Sequence, residues 1–147
     1  MSDYMNFSFA ISKKFSLAYS AVCGPLCREL GLSQTAFDIL MFLGNNPTYK
    51  TASEITEVRH IKANLISVNV ERLVQDGYLV RRQIKSDRRK TELLCTEKAQ
   101  PVIARGRRLQ NAFFERLFSG MDDGTRKALS AAMAVIEKNL NEILEAE

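Results

Sequence analysis

The chain has 147 residues, of which 46% are hydrophobic and 26% are charged, a composition typical of one compact domain with or without an oligomerising extension. Its formal net charge is only +4, so the total charge does not by itself identify a partner. No segment is long and apolar enough to span a membrane, and the N-terminal stretch lacks the pattern of a signal peptide, so we expect a cytoplasmic protein.

The N-terminal third of the chain predicts two helices. From residue 7 to residue 30, apolar residues recur every three or four positions, the spacing of a helical stripe. Pro25 lies within this stripe, and a proline inside a helix usually kinks it. Gly31 then predicts the end of the first helix, and Ser33 predicts the N-cap of a second helix from Gln34 to about Asn45.

The next two helices are short and predict a helix-turn-helix. Thr51 and Glu54 form the pattern of a capping box, which starts a helix near Ala52. After a tight turn, a further helix covers residues 62–76 and ends before Gly77. Two short helices joined in this way are typical of a helix-turn-helix.

A two-stranded hairpin follows directly. The segments "LVRRQI" at 79–84 and "TELLC" at 91–95 predict strands, and the basic loop between them, residues 85–90, is the candidate wing. The stretch from Arg59 to Lys90 holds nine Lys or Arg against three Asp or Glu, a net charge of +6. A positive region on a near-neutral body predicts binding to a polyanion, although a solvated, salt-bridged surface has the same composition.

Two long helices complete the chain. The first begins near Glu97, and the second ends close to the C-terminus. The apolar residues of the last helix alternate in steps of four and three, which is the spacing of a seam that faces another helix. They are Leu129, Met133, Ile136, Leu140 and Ile143.

These elements predict a mainly α fold with a small β-hairpin wing. Residues 33–96 would form a winged helix-turn-helix lobe. Residues 1–32 and 97–147 would be dimerisation helices. Together these parts would make up a single unit, residues 1–147, with no further domain predicted within it. The terminal helices carry more apolar stripe than so small a lobe can cover, so we expect a homodimer.

The predicted recognition helix has an inward and an outward face. Asn64 and Ser67 point outward and suit contacts to base edges. Lys62 and Arg72 suit contacts to phosphates. Val68 is also outward and either meets a thymine methyl group or contacts nothing. The inward residues, expected in the core, are Ile66, Val70, Leu73 and Val74.

The wing combines an acid with an arginine. Asp87 and Arg89 lie on the same side of an extended segment, so the carboxylate is placed to hold the guanidinium by charge-assisted hydrogen bonds. We therefore predict that Asp87 orients Arg89 for insertion into a narrow minor groove. The alternative is an ordinary exposed hairpin whose charges serve solubility. The expected DNA-binding residues are Ser53 (whose alternative role is capping support), Lys62, Ala63, Asn64, Ser67, Val68, Arg72, Arg82, Lys85, Asp87, Arg88, Arg89 and Lys90.

The stretch "DRRKTELLCTEKA", after a helix that ends "VERLVQDGYLVRR", resembles the wing of the MarR family of bacterial transcription regulators. The family pattern is Asp-x-Arg, an apolar strand and Leu-Thr; Asp87, Arg89 and Thr96 fit it, while Cys95 replaces the usual Leu. "GLS…FDIL", "TASEI" and the helix order also fit. The resemblance implies a triangular homodimer with two winged lobes that binds a pseudo-palindromic operator. It usually implies that the bound dimer represses transcription and that a small ligand or oxidation relieves the repression.

The resemblance also implies where an effector would act. Ligands of the family bind between the winged lobe and the dimer helices, so a small aromatic or amphipathic effector would meet a pocket of Phe15, Phe37, Met41 and Phe113. The alternative is that these residues are simply core.

Cys23 and Cys27 lie one helical turn apart and are either small buried hydrophobes or a thiol-based redox switch, since some family members sense peroxide through a cysteine in the N-terminal helix. Cβ atoms at that spacing are about 5–6 Å apart, whereas a disulfide needs roughly 3.5–4.5 Å. The pair therefore cannot bridge within an intact helix, so a disulfide would need a kink at Gly24 and Pro25 or pairing of each cysteine across a dimer.

Catalysis, a metal site and a cofactor are not expected. His60 is the only histidine, lies in the predicted helix-turn-helix and is far along the chain from Cys23 and Cys27. The chain has no phosphate-binding Gly-rich loop. A winged helix that serves as a protein-interaction adaptor is the remaining alternative to DNA binding.

Overall fold

The computed structural model describes residues 2–146, with side chains from residue 6 onward; Met1 and Glu147, the ends of the predicted ranges, lie outside the described residues. The predicted fold, mainly α with one β-hairpin, is confirmed. The elements are α1 (Ser2–Leu30), α2 (Gln34–Asn45), α3 (Ala52–Arg59), α4 (Ala63–Gln75), β1 (Leu79–Ile84), β2 (Asp87–Cys95), α5 (Ala99–Leu117) and α6 (Asp123–Glu145).

Side-chain caps set the starts of three helices, as predicted for α2 and α3. Ser33 Oγ accepts a hydrogen bond from the Ala36 N–H at 3.0 Å. Thr51 and Glu54 form a complete capping box before α3. Asp122 caps α6 through the backbone N–H of Thr125. Each cap satisfies a backbone donor that has no partner within its helix.

Helix α1 continues through Pro25 as one element. The sequence predicted a kink at this position, because proline removes a backbone donor, and the helix does not end there. The helix ends where expected: Gly31 has φ 66°, the left-handed conformation that glycine adopts without steric cost.

The chain divides into two compact units, one up to Asn111 and one from Ala112 onward. The core of the first unit is built around α2, which buries nearly every residue from Ala36 to Leu43. Helix α4 and the hairpin contribute to the same core. So do Cys23 and Leu26 of α1 and the first turns of α5, segments that the sequence had assigned to dimerisation.

The second unit consists of the end of α5 and all of α6. Phe114 stacks on Phe118 with ring centroids 6.0 Å apart. No residue of α6 is buried, and its predicted seam is open to solvent. A second open apolar stretch lies in the first half of α1. The exposed apolar side chains are Phe7, Phe9, Ile11, Phe15 and Leu17 in α1, and Met133, Val135, Ile136, Leu140, Ile143 and Leu144 in α6.

Helix α5 approaches α2 closely at Gly106, which is buried. A Cβ atom built on Gly106 would overlap Met41 Sδ and lie 3.2 Å from Phe37 Cζ. A side chain at this position therefore separates the two helices.

We expect Gly106→Ala to destabilise the protein. Overpacking costs about 1–3 kcal/mol, against at most about 1 kcal/mol gained in helix propensity. Urea unfolding at matched protein concentration measures the difference in free energy. Gly124→Ala, in the first turn of α6 and with no close neighbour except Asp122 Oδ1 at 3.6 Å, is the matched control and should be neutral or slightly stabilising. Equal stability of the two variants would contradict the close packing.

Candidate nucleic-acid interface

Helix α4 is seated on the lobe by its inward face. Ile66, Val70 and Leu73 are buried, as predicted from the sequence, and Val74 packs against them partly exposed. A side-chain hydrogen bond adds to this packing: Ser33 Oγ donates to Asn69 Oδ1 at 2.7 Å. The orientation of α4 is therefore fixed by both apolar contacts and the cap of α2.

The outward face of α4 is open to solvent. Asn64 and Val68 lie on one line of this face, since residues four apart differ by only about 40° around a helix. Val68 is 68% exposed, more than any other large apolar side chain of the lobe. Ala63 and Ser67 are exposed beside it. Lys62 is exposed one position before the helix, where its side chain makes no capping bond.

Three arginines near α4 and the hairpin are held in ion pairs. Arg72 Nε lies 2.8 Å from Asp76 Oδ2, and that bond raises the pKa of the guanidinium further. Arg81 Nη2 lies 2.7 Å from Glu71 Oε2, and Arg82 Nη2 lies 2.6 Å from Glu92 Oε2. Exposed pairs of this kind add little stability. Their main effect is to neutralise the surface between α4 and the base of the wing.

The remaining positive charge is concentrated on the wing. Of the nine cations from Arg59 to Lys90, three are paired, which leaves six: 9 − 3 = 6. Two of these six precede α4. The other four are exposed at the hairpin tip, and they are Lys85, Arg88, Arg89 and Lys90.

The hairpin tip contains a bulge that the sequence did not predict. Strands β1 and β2 are antiparallel, and Gln83 pairs with Thr91, while the next residue of β1, Ile84, pairs with Asp87. The residues 88–90 therefore have no partner opposite them. The side chain of Gln83 supports the bulge by donating from Nε2 to the carbonyl oxygen of Arg88 at 3.1 Å. The turn itself is only two residues, 85 and 86, shorter than the predicted loop 85–90.

Asp87 interacts with Arg89, but not as predicted. Its Oδ1 accepts a hydrogen bond from the backbone N–H of Arg89 at 3.0 Å, and it makes no ion pair with that guanidinium among the described residues. An aspartate commonly bonds the backbone two residues onward in turns, and the bulge brings that N–H within reach. The carboxylate thus shapes the backbone of the bulge, and the Arg89 side chain stays exposed.

The base of the wing is tied to the lobe by hydrogen bonds. Thr96 Oγ1 donates to the carbonyl oxygen of Gly77 at 2.6 Å, and Thr96 N donates to that of Tyr78 at 3.0 Å. On the other side, Leu93 N donates to the carbonyl oxygen of Lys50 at 2.6 Å. The hairpin is therefore fixed next to α4, and the role of Thr96 explains its place at the end of β2.

This arrangement of helix-turn-helix and hairpin matches known proteins. A family model described as the MarR family matches residues 30–90. Residues 30–90 are therefore similar to proteins of the MarR family. No curated protein sequence matches the chain.

Solved structures extend the similarity in fold beyond the winged helix. A MarR protein from Peptoclostridium difficile is 21% identical, with a TM-score of 0.82 over 95% of this chain and 91% of that one. A structure assigned to the MarR family from Listeria monocytogenes, complexed with 26mer DNA, is 17% identical, with a TM-score of 0.81 over 91% and 89%. A MarR regulator from Methanosarcina mazei is 22% identical, with a TM-score of 0.74 over 90% and 97%.

The winged helix-turn-helix lobe contains positioning residues that were not predicted from the sequence. Asn69 and Gln83 hold α4 and the bulge, while Glu71 and Glu92 neutralise arginines. A polar residue at the edge of a buried helical face was the available signal for Asn69. Ser53 is exposed in the first turn of α3 and makes no hydrogen bond with a described protein group, because the cap there is made by neighbouring residues.

The four residues predicted for an effector pocket lie in different surroundings. Phe37 and Met41 are fully buried in the core, packed where Gly106 passes. Phe15 is 39% exposed on α1, and Phe113 is buried in the second unit.

A groove of about 440 Å³ lies elsewhere in the first unit, between α1 and α5. It is lined by Val22, Pro25, Leu26, Glu29, Arg105, Arg108 and Leu109. At its rim, Arg105 Nη2 binds Glu29 Oε2 at 2.6 Å, and this bond lowers the pKa of the carboxyl.

The two cysteines of α1 are buried beside the partly buried polar side chains of Gln34 and Asp38 in α2. Cys23 is fully buried, and Cys27 is nearly so. Burial raises the pKa of both thiols, that of Cys27 to about 11, because it penalises the charged thiolate. The Cys27 thiol donates to Gln34 Oε1 at 4.0 Å, and Gln34 Nε2 donates to Asp38 Oδ1 at 2.9 Å. Desolvation also raises the pKa of Asp38. These are the surroundings of structural cysteines, since reactive ones have a lowered pKa and are accessible.

Two further findings concern other site types. Among the residues whose side chains are described, 6–146, no group of three or more His, Cys, Asp or Glu is arranged to hold a metal ion. No helix in that part of the chain is long and apolar enough to cross a membrane.

We expect Cys27 to react very slowly in the native protein. With its pKa raised to about 11, less than about 1% is thiolate at pH 8. In a Cys95→Ser background, alkylation with iodoacetamide followed by mass spectrometry should label Cys23 and Cys27 quickly only in denaturant. Labelling in native buffer should increase as the pH approaches 11. Rapid loss of both thiols in native protein treated with peroxide at pH 7 would instead support a redox switch.

Proposed function

We propose that this protein is a sequence-specific regulator of transcription that binds double-stranded DNA as a homodimer. In this proposal, α4 enters the major groove of a pseudo-palindromic operator, and the wing enters the adjacent minor groove. The observation that carries the proposal is the placement of four unpaired cations on a bulged hairpin tip beside a helix with a free outward face. A regulator of this kind acts where the DNA is, which in a bacterium is the cytoplasm.

The major groove suits α4 in size and chemistry. It is about 12 Å wide and admits an α-helix. Asn64 and Ser67 carry donors and acceptors at the N-terminal half of α4, the part of a recognition helix that contacts base edges. Lys62 precedes the helix, close to where a phosphate passes, and Ser53 supplies a free hydroxyl in α3. Arg72 and Arg82 would reach phosphates only by exchanging their present carboxylate partners.

The wing suits the minor groove. A narrow minor groove has enhanced negative potential that attracts an inserted arginine. Arg89 lies in the middle of the unpaired residues 88–90, and Asp87 holds its backbone. Arg88 and Lys90, on either side, would contact the phosphates that flank the groove. Lys85 extends this contact from the turn.

A homodimer explains the open apolar surfaces. The first half of α1 and the whole of α6 expose apolar residues at helical spacing, including Phe7, Ile136 and Leu140. A second copy of the chain provides a matching apolar surface through two-fold symmetry. Two lobes held in this way would bind two half-sites about one helical turn apart.

We also propose that binding represses transcription and that a small amphipathic effector relieves it. The groove between α1 and α5 supports this part, because it combines apolar walls with Arg105, Arg108 and Glu29 at its edge. It lies next to Leu26, which belongs to the lobe core, so a ligand there would bear on the packing of α1. The buried thiols favour this mode over the redox alternative.

Arg89→Ala should weaken operator binding by about 1–3 kcal/mol, because it removes the inserted side chain.

Lys90→Ala should weaken binding to all sequences alike and lower the salt slope of log K by about 1, because it removes a phosphate contact. Fluorescence anisotropy over a series of salt concentrations measures both effects. Arg116→Ala, which removes the same charge from an exposed position in the last turn of α5, is the matched control and should bind as the parent protein does.

Unchanged DNA affinity in Arg89→Ala would contradict the wing mechanism. A protein that binds no DNA even at low salt would contradict the regulator and would favour the adaptor alternative. Capture of a single protein partner through the same hairpin would then be expected.

Leu140→Glu should convert the dimer to a monomer. A charge left unpaired in an apolar interface costs about 3–5 kcal/mol. Sedimentation velocity at micromolar concentration distinguishes the two states. Asn141→Glu adds the same charge on a different face of α6 and should remain dimeric. A parent protein that sediments as a monomer would contradict the proposed assembly.

A further inference from the structure

We propose that α4 reads A·T base pairs at two positions of each half-site, with Asn64 recognising an adenine and Val68 a thymine methyl group. The inference rests on the proposed function and names the DNA sequence that this surface fits. Three observations carry it: the charges of α4, the state of its two asparagines and the exposure of Val68.

Helix α4 has no cation placed to read guanine. The commonest specific contact with a base is that of Arg or Lys to guanine O6 and N7. Arg72 is the only Arg or Lys in α4, and it lies near the C-terminal end with its Nε bonded to Asp76. Lys62 precedes the helix and lies off the line of Asn64 and Val68. The base-facing part of α4 is therefore neutral.

The two asparagines of α4 are in different states. Asn69 uses both ends of its amide, since Nδ2 donates to the carbonyl oxygen of Leu65 at 2.8 Å and Oδ1 accepts from Ser33. Asn64 makes no hydrogen bond with a described protein group and is exposed. A free asparagine amide matches the adjacent acceptor N7 and donor N6 of adenine. Asn64 is thus the reader, and Asn69 is a positioning residue.

Val68 lies one turn after Asn64 on the same line and is 68% exposed. Leu65 is 46% exposed on its flank. In the major groove, only thymine presents a methyl group, and an apolar side chain gains by covering it. A valine here removes its own surface and that of the methyl group from water at once. Single exposed apolar residues are common on protein surfaces, so the competing outcome is that Val68 makes no contact with the DNA.

The first experiment selects DNA from a random duplex library with the full chain at low salt. We expect the parent protein to select an inverted repeat. Parallel selections with Asn64→Ala and Val68→Ala should lose the base preference at particular positions of each half-site, and those positions should hold A·T pairs in the parent selection. G·C pairs at those positions would overturn the inference and leave the proposed function intact. Failure to bind any duplex at low salt would overturn both.

The second experiment tests each contact by atomic substitution in the selected operator. Replacing one half-site thymine with deoxyuridine, which lacks the methyl group, should weaken binding roughly fourfold. Val68→Ala should abolish this difference, whereas Val80→Ala, which truncates a valine 49% exposed on β1, should keep it. Replacing one adenine with 7-deazaadenine should weaken binding about fivefold or more, and Asn64→Ala should abolish that difference. Deoxyuridine sensitivity that persists in Val68→Ala would overturn the role of Val68.

Discussion

The burial of α2 is the constraint on which the rest of the lobe depends. Almost every side chain from Ala36 to Leu43 is removed from water, so α2 must be covered on all sides. Helix α1 covers it with Cys23 and Leu26, α4 with its inward face, and the hairpin with Leu79 and Leu93. Helix α4 and the wing are therefore positioned by one shared core, and the cap of α2 adds a direct hydrogen bond to α4 through Ser33.

Charge pairing divides the interface into two parts with different roles. The carboxylates of Glu71, Asp76 and Glu92 neutralise arginines on and beside α4, while the cations at the wing tip have no such partners. A phosphate backbone attracts unpaired cations whatever the sequence. A neutral helix face contributes through the fit of its side chains to bases instead. In the proposed complex, the wing would supply general affinity for DNA and α4 would supply discrimination between sequences.

Local signals in the sequence predicted most elements, while long-range contacts decided what it missed. Ser33 and Thr51 act on backbone groups within a few residues, so their capping patterns located α2 and α3 correctly. The bulge depends on the register of two strands, which a one-strand pattern does not contain. For the same reason, the sequence could show that Asp87 and Arg89 were close but not that the carboxylate would bind a backbone N–H. The core position of Cys23 depends on the packing of α1 against α2, and the local pattern of α1 does not show which side of it α2 covers.

Helix α1 connects the core of the lobe with an exposed apolar surface. Its C-terminal part, including Cys23 and Leu26, is fixed in the core against α2, whereas its first half exposes apolar residues such as Phe7 and Ile11. Because a helix is stiff, a change imposed on one half is carried to the other. Protein interiors are close-packed and transmit such displacements. The same helix also forms one wall of the groove beside Leu26. The proposed dimer contact, the proposed effector groove and the packing of the core against α2 therefore all involve α1, and this would give the proposed effector a physical route to the proposed DNA-binding face.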